Sequence, residues 1–376
     1  MIYLDSAATS LIKPAGVEAA VVRAMRTMAS PGRGGHAPSL KAAEEVYLCR
    51  EAAARLFGME DSSRVVFTSN ATHALNIAIR SIIKGGEKVV ISGFEHNSVT
   101  RPLTALGVDI HVAGTKLFDP AQVLNEFQDE IKGAKLVVCT QVSNVFGYIL
   151  PVYELGCMCA ERGIPFIVDA SQSAGILDVD IKRLKADFVA MPGHKALFGP
   201  QGTGILLCAR DAKPLLHGGS GSDSIGQHMP DYLPDALEAG THNVCGIAGL
   251  RAGLEYIEKK GRENIHRHER DLLAQMVDCL SDEPDIEMFT GNAAVQCGVL
   301  SVRCRYINCE ELAARLAQRG VCVRAGLHCA PRAHISANTL DTGTVRFSFS
   351  PFISAGEIHT AACVLKEIVN DAKNKV

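Results

Sequence analysis

The feature that most constrains the fold is a series of short β-rich segments separated by helical or loop-sized stretches. Seven such segments occur between residues 64 and 208: Arg64–Thr68, Lys88–Ser92, Asp109–Ala113, Leu136–Ser143, Pro165–Ser171, Asp187–Met191 and Gly204–Cys208. Parallel strands need crossover connections of this length, usually helices. The pattern therefore predicts an α/β protein with one wide, mostly parallel, seven-stranded sheet, and it places ligands at the carboxyl ends of the strands.

A different pattern follows Gly246. A long helical stretch runs to about Leu280, and after it come a strand at Gly298–Cys304, a helix at Glu310–Gln318, strands at Val321–Arg324 and Thr344–Ser350, and a closing helix. This order predicts a second, smaller α+β domain. We expect residues 15–250 to form a large domain and residues 1–14 with 251–376 to form the small one.

Composition and charge favour a globular protein that binds small molecules. The 376 residues are 47% hydrophobic, which is ample for two cores, and the net charge of -3 gives no reason to expect nucleic acid or anionic lipid. The N-terminus lacks the basic start and apolar stretch of a signal peptide, and no window has the roughly 18 apolar residues of a membrane span. We expect a cytoplasmic protein that contacts no membrane.

The thirteen cysteines do not predict a metal site or a disulfide framework. Their number is odd, their spacing is irregular, and several lie in apolar runs, where they behave as small hydrophobic residues. The closely spaced Cys157 and Cys159, like Cys304 and Cys309, lack the paired C-x-x-C spacing of zinc ligands. We expect no bound metal, mostly inert thiols and a reducing compartment.

Lys195 and Asp169 together indicate pyridoxal phosphate. Asp169 ends the apolar run that begins at Phe166, and Lys195 follows 26 positions later in a Gly-His-Lys turn. Pyridoxal phosphate needs a lysine that holds its aldehyde as a Schiff base and a carboxylate that keeps its ring nitrogen protonated. Either residue alone would be an ordinary structural charge.

Other predicted strand ends carry groups suited to the same cofactor. The hydroxyl and amide side chains of residues 68–73 open a helical pattern, where free N–H groups and the helix dipole favour a phosphate and Thr72 adds a hydroxyl. His96 is placed to stack on the cofactor ring or move a proton, Asn144 offers an amide, and Gln172 is placed to donate to the phenolic oxygen of the ring. Each feature has a structural alternative, since an N-cap or a loop histidine would look the same.

Eight segments carry a pattern that runs nearly end to end, and they are Leu4–Thr9, Ala71–His73, Glu95–Asn97, Val142–Val145, Val168–Gln172, Gly193–Lys195, Glu238–Thr241 and Arg324–Ala330. Together they resemble a known group of enzymes, the cysteine desulfurases and selenocysteine lyases of the class V aminotransferase superfamily. The resemblance implies a fold type I pyridoxal phosphate-dependent transferase, and a homodimer with the active site at the subunit boundary.

The resemblance also assigns individual roles. It makes Lys195 the Schiff-base lysine and His96 the ring-stacking acid or base, and it brings Thr241 to the phosphate from the neighbouring subunit. The cofactor-binding set that it implies is Ala71, Thr72, His96, Asn144, Asp169, Gln172, His194, Lys195 and Thr241. The substrate-binding set that it implies is Ala7, Asn144 and Arg346, with the arginine holding the substrate carboxylate as a bidentate fork.

Cys329 selects the reaction within the superfamily. A desulfurase needs a protein thiolate that attacks the sulfur of bound cysteine, leaving alanine and a persulfide on the enzyme. Arg324, His328 and His334 flank Cys329 and are expected to favour the thiolate. Only 17 positions separate Cys329 from Arg346, which resembles the short-loop desulfurases that commonly pass sulfur to a small acceptor protein. The structural alternative is one more buried thiol.

One departure from the family pattern concerns the phosphate. Pro192 stands where the family usually has Ser or Thr, so a hydroxyl and an N–H are both missing there. The sequence predicts a pyridoxal phosphate-dependent cysteine desulfurase that converts L-cysteine to L-alanine. Three alternatives stay open at this point: a selenocysteine lyase acting on L-selenocysteine, a catalytically reduced homologue that still binds the cofactor, and a metal-binding thiol protein.

Overall fold

A computed structural model describes residues 1–32, 34–222 and 225–375. Residues 33, 223 and 224 of the predicted large domain and residue 376 of the predicted small domain lie outside the described part. The strands are β1 (Ile2–Tyr3), β2 (Val65–Thr68), β3 (Lys88–Ser92), β4 (Asp109–Ala113), β5 (Leu136–Thr140), β6 (Phe166–Asp169), β7 (Phe188–Pro192), β8 (Gly204–Cys208), β9 (Ile286–Phe289), β10 (Val299–Cys304), β11 (Val321–Cys322), β12 (Arg324–Gly326) and β13 (Thr344–Ser348).

Eleven α-helices lie between and after the strands in the described residues. They are α1 (Ala15–Thr27), α2 (Ala37–Leu56), α3 (Ala71–Ile82), α4 (Asn97–Ala105), α5 (Pro120–Glu130), α6 (Val152–Glu161), α7 (Val244–Lys260), α8 (Arg262–Leu280), α9 (Cys309–Gln318), α10 (Pro331–Ser336) and α11 (Ala355–Lys373). No helix in the described ranges combines the length and the apolar character needed to cross a bilayer.

The main sheet has the architecture that the sequence predicts. Its seven strands lie in the order β2-β8-β7-β6-β5-β3-β4, and only β8 runs antiparallel to its neighbours. Strands β2, β5, β6, β7 and β8 are buried at every residue, because helices cover both faces of the sheet. The predicted strands that reached Ser143 and Ser171 end earlier, at Thr140 and Asp169, since the residues that follow turn away to form the site.

A second, antiparallel sheet has the order β12-β13-β10-β9 and shares one apolar core with helices α8, α9 and α11. Its apolar core includes Met276, Leu300, Phe347 and Leu365. Leu4 joins this core from the other end of the chain, and β1 pairs in parallel with β11. This packing supports the assignment of the N-terminus to the small domain, and the boundary at residue 250 stays a prediction.

Two details of the sequence prediction are wrong. The long helical stretch is two helices, because Gly261 has a φ of 80° and separates α7 from α8. This conformation favours glycine and ends an α-helix. The single strand predicted at Val321–Arg324 is two short strands in different sheets, β11 beside β1 and β12 beside β13.

Candidate active site

Five loops at the carboxyl ends of parallel strands enclose a cavity of about 150 Å³. These loops follow β2, β3, β5, β6 and β7, so each strand end contributes side chains to one place. The predicted site residues that line the cavity are Ala71, Thr72, His96, Asn144, Asp169, Gln172, His194 and Lys195. The sheet thus brings together side chains that span 125 positions of the sequence.

Asp169 ends β6 with a side chain that is buried in the wall of this cavity. Its Oδ1 accepts hydrogen bonds from the Ser171 N–H, at 2.9 Å, and from the Ser171 hydroxyl. Burial raises the pKa of Asp169, and these two bonds oppose the rise. Both bonds fall on Oδ1, so Oδ2 is the oxygen available to a ligand.

Lys195 lies across the cavity in a tight turn after β7. Gly193 allows this turn, since a Cβ at that position would lie 2.1 Å from the Thr203 hydroxyl oxygen. Burial lowers the pKa of the Lys195 ammonium to about 8, although the attraction of Asp169 opposes the fall. Roughly a tenth of this amine is therefore neutral, and nucleophilic, at pH 7, far more than for an exposed lysine.

His96 caps the N-terminus of α4 and faces the same cavity. Its Nδ1 accepts a hydrogen bond from the Ser98 N–H at 3.0 Å. Burial and the charge of Lys195 lower the pKa of His96 to about 4. The ring is therefore neutral at pH 7, and its remaining proton is on Nε2.

The first turn of α3 supplies the side of the cavity suited to an anion. Asn70 caps this helix, because its side-chain oxygen accepts from the His73 N–H at 2.9 Å. Ala71 is buried, and the exposed Thr72 presents its hydroxyl side chain at the cavity. The free N–H groups of a first helical turn bind phosphate.

Arg346 is a buried arginine at the junction of the two sheets. Its Nη2 donates to Asp5 Oδ1 at 2.7 Å, and its Nη1 donates to the Asn144 carbonyl oxygen at 2.9 Å. Its Nε and the Asn144 Oδ1 are both buried without a hydrogen-bond partner among the described residues. Buried polar atoms of this kind are normally satisfied, so both atoms are suited to a polar ligand.

Cys329 is exposed on a loop that is fastened to the cavity. The Cys329 carbonyl oxygen accepts from the Asn97 N–H at 2.8 Å, and Asn144 Nδ2 donates to the His328 carbonyl oxygen, also at 2.8 Å. His328 and Cys329 have φ angles of 50° and 57°, a left-handed conformation that non-glycine residues seldom adopt. Such strain at two successive residues is typical of functional loops.

The expectation that nearby histidines favour the Cys329 thiolate is wrong. His328 is buried with its Nε2 3.2 Å from the Thr344 carbonyl oxygen, and burial holds its pKa far below the usual range. His334 is buried with its Nδ1 2.7 Å from the Thr339 hydroxyl, and burial lowers its pKa to about 4. Both rings are neutral and supply no positive charge to the thiol, which leaves the exposed Arg324 as the flanking cation.

Four predicted residues do not line the cavity, and two of them, Arg346 and Cys329, are joined to its wall by hydrogen bonds with Asn144 and Asn97. Gln172 Nε2 donates to the Ala7 carbonyl oxygen at 3.0 Å, so one of its amide protons is already used. Ala7 lies in an adjoining crevice that also reaches Lys195 and Gln172. Thr241 does not line the active-site cavity of its own chain and borders another cavity instead.

The sequence reasoning missed several supporting residues. Ser171 and Ser98 orient Asp169 and His96, and Asp5 pairs with Arg346. Glu95 is a buried carboxyl group that accepts from the Thr140 N–H at 2.7 Å. Serine two residues after a strand-end acid or a capping histidine is a local signal for the first two, whereas nothing local marks the partners of Asp5 or Glu95.

The fold and site together define a particular class of protein. A mostly parallel sheet with a buried acid after one strand, a lysine after the next and a helix N-terminus beside them is the arrangement of an α/β enzyme that binds a phosphorylated cofactor. The family described as aminotransferase class-V matches residues 2–360. The chain belongs to this family.

Similar proteins within this family are named as cysteine desulfurases. A probable cysteine desulfurase of Pyrococcus abyssi is 35% identical, and the match covers 100% of this chain and 96% of the relative. A probable cysteine desulfurase of Methanothermobacter thermautotrophicus is 32% identical, with 98% and 94% covered. The apo structure of a cysteine desulfurase from Thermococcus onnurineus NA1 superposes with a TM-score of 0.91 at 33% identity, with 98% and 95% covered.

Proposed function

We propose that this chain is a pyridoxal phosphate-dependent cysteine desulfurase. It converts L-cysteine to L-alanine and leaves a persulfide on Cys329. The observation that carries the proposal is the pair of hydrogen bonds that join the proposed cofactor cavity to the Cys329 loop. The cavity that holds Lys195 and Asp169 also contains His96 and Asn144, and Asn144 and the residue after His96 fasten the backbone of the exposed Cys329 loop.

The residues present fit pyridoxal phosphate. Lys195 would hold the aldehyde, Asp169 Oδ2 would meet the ring nitrogen, and the first turn of α3 with Thr72 and His194 would bind the phosphate. The second amide proton of Gln172 would reach the phenolic oxygen, and the neutral His96 ring would stack on the cofactor. When bound, the cofactor withdraws electrons from the Cα atom of the substrate.

The substrate carboxylate fits Arg346 and Asn144. The unpaired Arg346 Nε and the second Nδ2 proton of Asn144 would donate to the carboxylate, whereas the unpaired Asn144 Oδ1 can only accept, and therefore suits a donor such as an amino group. The planar guanidinium suits a bidentate contact, and Asp5 keeps it in place. This contact would fix the orientation of the substrate relative to Lys195, whose neutral amine is suited to accept a proton from Cα.

Cys329 then carries out the transfer. Its thiolate attacks the sulfur atom of the bound cysteine, a sulfur–sulfur bond forms, and the Cβ–sulfur bond of the substrate breaks. The electron pair of that bond stays on Cβ, which takes up a proton to become the methyl group of alanine. This proton balances the one that the Cys329 thiol loses on ionising, and the Lys195 ammonium, whose pKa is about 8, is the acid in the cavity suited to deliver it.

The same proposal includes two protein partners. The persulfide on an exposed thiol is suited to a small sulfur-acceptor protein, and a second copy of the chain would supply Thr241. Exposed large apolar side chains on α1, on α2 and in the segment before α7 favour a homodimer, and they are Met25, Leu40, Tyr47, Leu216 and Tyr232. The names of the relatives favour the desulfurase over the selenocysteine lyase.

A paired release assay tests the proposal. Protein loaded with pyridoxal phosphate is given L-cysteine or L-selenocysteine, with and without a thiol acceptor, and alanine is measured. We expect alanine from L-cysteine, faster with the acceptor, and none from the Cys329→Ala variant. Alanine from L-selenocysteine alone would identify a lyase, and failure to turn over either amino acid despite a bound cofactor would identify a catalytically reduced homologue.

A further inference from the structure

Thr241 lies in a segment that a buried ion pair anchors. Glu238, three residues earlier, and Arg50 of α2 are each 7% exposed. Arg50 Nη1 donates to Glu238 Oε1 at 2.7 Å, and Nη2 donates to Oε2. Oε1 also accepts from the Phe67 N–H at 2.6 Å, so the carboxylate binds the segment to both α2 and β2.

The Glu238 carboxylate also contacts His242, the residue that follows Thr241. His242 Nε2 lies 2.5 Å from Glu238 Oε2, so the residues before and after Thr241 are joined through one carboxylate. Arg50 is held in turn, because its Nη1 donates to the Val65 carbonyl oxygen and its guanidinium lies 4.5 Å above the Phe67 ring. A buried charge is stable only with such complete pairing, so this network has one favourable arrangement.

The network leaves the Thr241 side chain facing outward. Thr241 is exposed and borders a cavity of about 400 Å³ that it shares with Ser69 and His73. Gly240, at a φ of 97°, turns the backbone here, and its N–H donates to the Gly219 carbonyl oxygen at 2.8 Å. A small hydroxyl on a rigidly anchored, exposed turn is suited to a ligand held by another molecule.

We propose that Arg50, Glu238 and His242 are positioning residues that hold the Thr241 hydroxyl toward the phosphate of the cofactor bound by a second copy of this chain. The inference rests on the proposed function. Pro192 makes the Thr241 hydroxyl more important for phosphate binding, because a proline in the phosphate-binding turn offers neither a hydroxyl nor an N–H. The phosphate then depends more on a hydroxyl that the partner contributes.

Comparison of pyridoxal phosphate with pyridoxal, which lacks the phosphate, tests the proposal. Cofactor-free protein is titrated with each compound, and binding is followed by absorbance of the lysine-bound aldehyde. We expect Glu238→Gln to weaken pyridoxal phosphate binding about 10-fold or more, the loss of one hydrogen bond to a charged group, and to leave pyridoxal binding unchanged. Thr241→Val should do the same, and the double variant should be no weaker than Thr241→Val alone.

The matched control is Glu367→Gln, which removes a carboxylate from the exposed ion pair with Arg319 and should change neither affinity. Arg50→Lys, which keeps the charge and loses the two-point contact, replaces Glu238→Gln if that variant does not fold. Equal weakening of both compounds, or of neither, would overturn the proposal. Wild-type protein that binds neither compound would overturn the proposed function and this inference with it.

Hybrid dimers test whether Thr241 acts across subunits. In a dimer of one Glu238→Gln chain and one Lys195→Ala chain, one site keeps Lys195 and receives an undisturbed Thr241 from the partner. We expect this site to recover wild-type affinity for pyridoxal phosphate. Affinity that stays at the level of the Glu238→Gln homodimer would show that Thr241 acts within its own chain, and the proposal would be wrong.

Discussion

Arg346 and Asp5 are 341 positions apart, and the guanidinium of one donates to the carboxylate of the other at 2.7 Å. Asp5 holds the arginine through Nη2, and Asn144 holds it through Nη1. The substrate-binding group that we propose is thus fixed before a substrate arrives, with Nε still unpaired. Fixing a binding group in advance lowers the cost of orienting the substrate.

The first prediction concerns this arginine. Arg346→Lys keeps the charge and loses the planar fork, so we expect kcat/KM for L-cysteine to fall by about 10- to 100-fold, the loss of one hydrogen bond to a charged group. Steady-state alanine release measures the change. Arg324→Lys is the matched control, because Arg324 lies directly opposite Arg346 on β12 and is exposed. An equal loss in both variants would contradict a specific role for Arg346.

The second prediction is the pH dependence of cofactor attachment. The amine must be neutral to attack the aldehyde, and burial lowers the pKa of Lys195 to about 8. We expect the rate at which cofactor-free protein forms the lysine-bound chromophore to rise with pH and to level off above about pH 8. A rate that keeps rising to the usual pKa of lysine, about 10.4, would contradict this environment.

The third prediction concerns Glu95, the buried acid that directly precedes His96 in the chain. Burial raises the pKa of Glu95 to about 8, while Ser92 and Thr140 oppose the rise by hydrogen bonding to it. Between about pH 4.5 and 8 the Glu95 carboxyl group is protonated in the folded protein and ionised in the unfolded protein. The stability that Glu95 contributes is therefore fully present below about pH 4.5 and is lost as the pH rises to about 8.

Glu95→Gln removes this dependence, because the amide keeps the shape and does not titrate. We expect the free energy of unfolding of the wild type, relative to the variant, to fall by up to about 4 kcal/mol between pH 5 and 8. Denaturant unfolding at each pH measures it. Parallel pH profiles for the two proteins would show that Glu95 is ionised in the folded protein.

The fourth prediction concerns Asp169. Asp169→Asn is nearly isosteric but does not hold a proton on the ring nitrogen, so we expect alanine release to fall by about 100-fold or more while the cofactor still attaches to Lys195. The control is Asp187→Asn, at the opposite end of the sheet, where Oδ2 accepts from the Phe166 N–H at 2.9 Å. Full activity in Asp169→Asn would remove this carboxylate from the chemistry.

The sequence predicted the main sheet well because its strands are short apolar runs bounded by polar loops. The limits of β3, β4 and β8 match the prediction at both ends. It also placed the lysine, the acid and the helix N-terminus together, since parallel strands bring their carboxyl ends to one edge. Predicting that these groups cluster at one edge of the sheet requires only the order of the strands along the chain.

The sequence could not predict contacts that depend on tertiary packing. Neutral histidines beside Cys329 look the same in sequence as charged ones, and only the burial of His328 and His334 shows that they are uncharged. The pairing of Asp5 with Arg346 joins the two ends of the chain and has no local signal. The break at Gly261 was missed because apolar spacing continues from α7 into α8.

Mass spectrometry of the thiols after turnover tests the central claim most directly. Cofactor-loaded protein receives L-cysteine without an acceptor, and the peptides that contain Cys329 and the other exposed cysteine, Cys363, are analysed. We predict that the Cys329 peptide gains the mass of one sulfur atom, with alanine formed in equal amount, and that the Cys363 peptide is unchanged. Alanine formation with no added sulfur on Cys329, or equal addition on both peptides, would contradict the account.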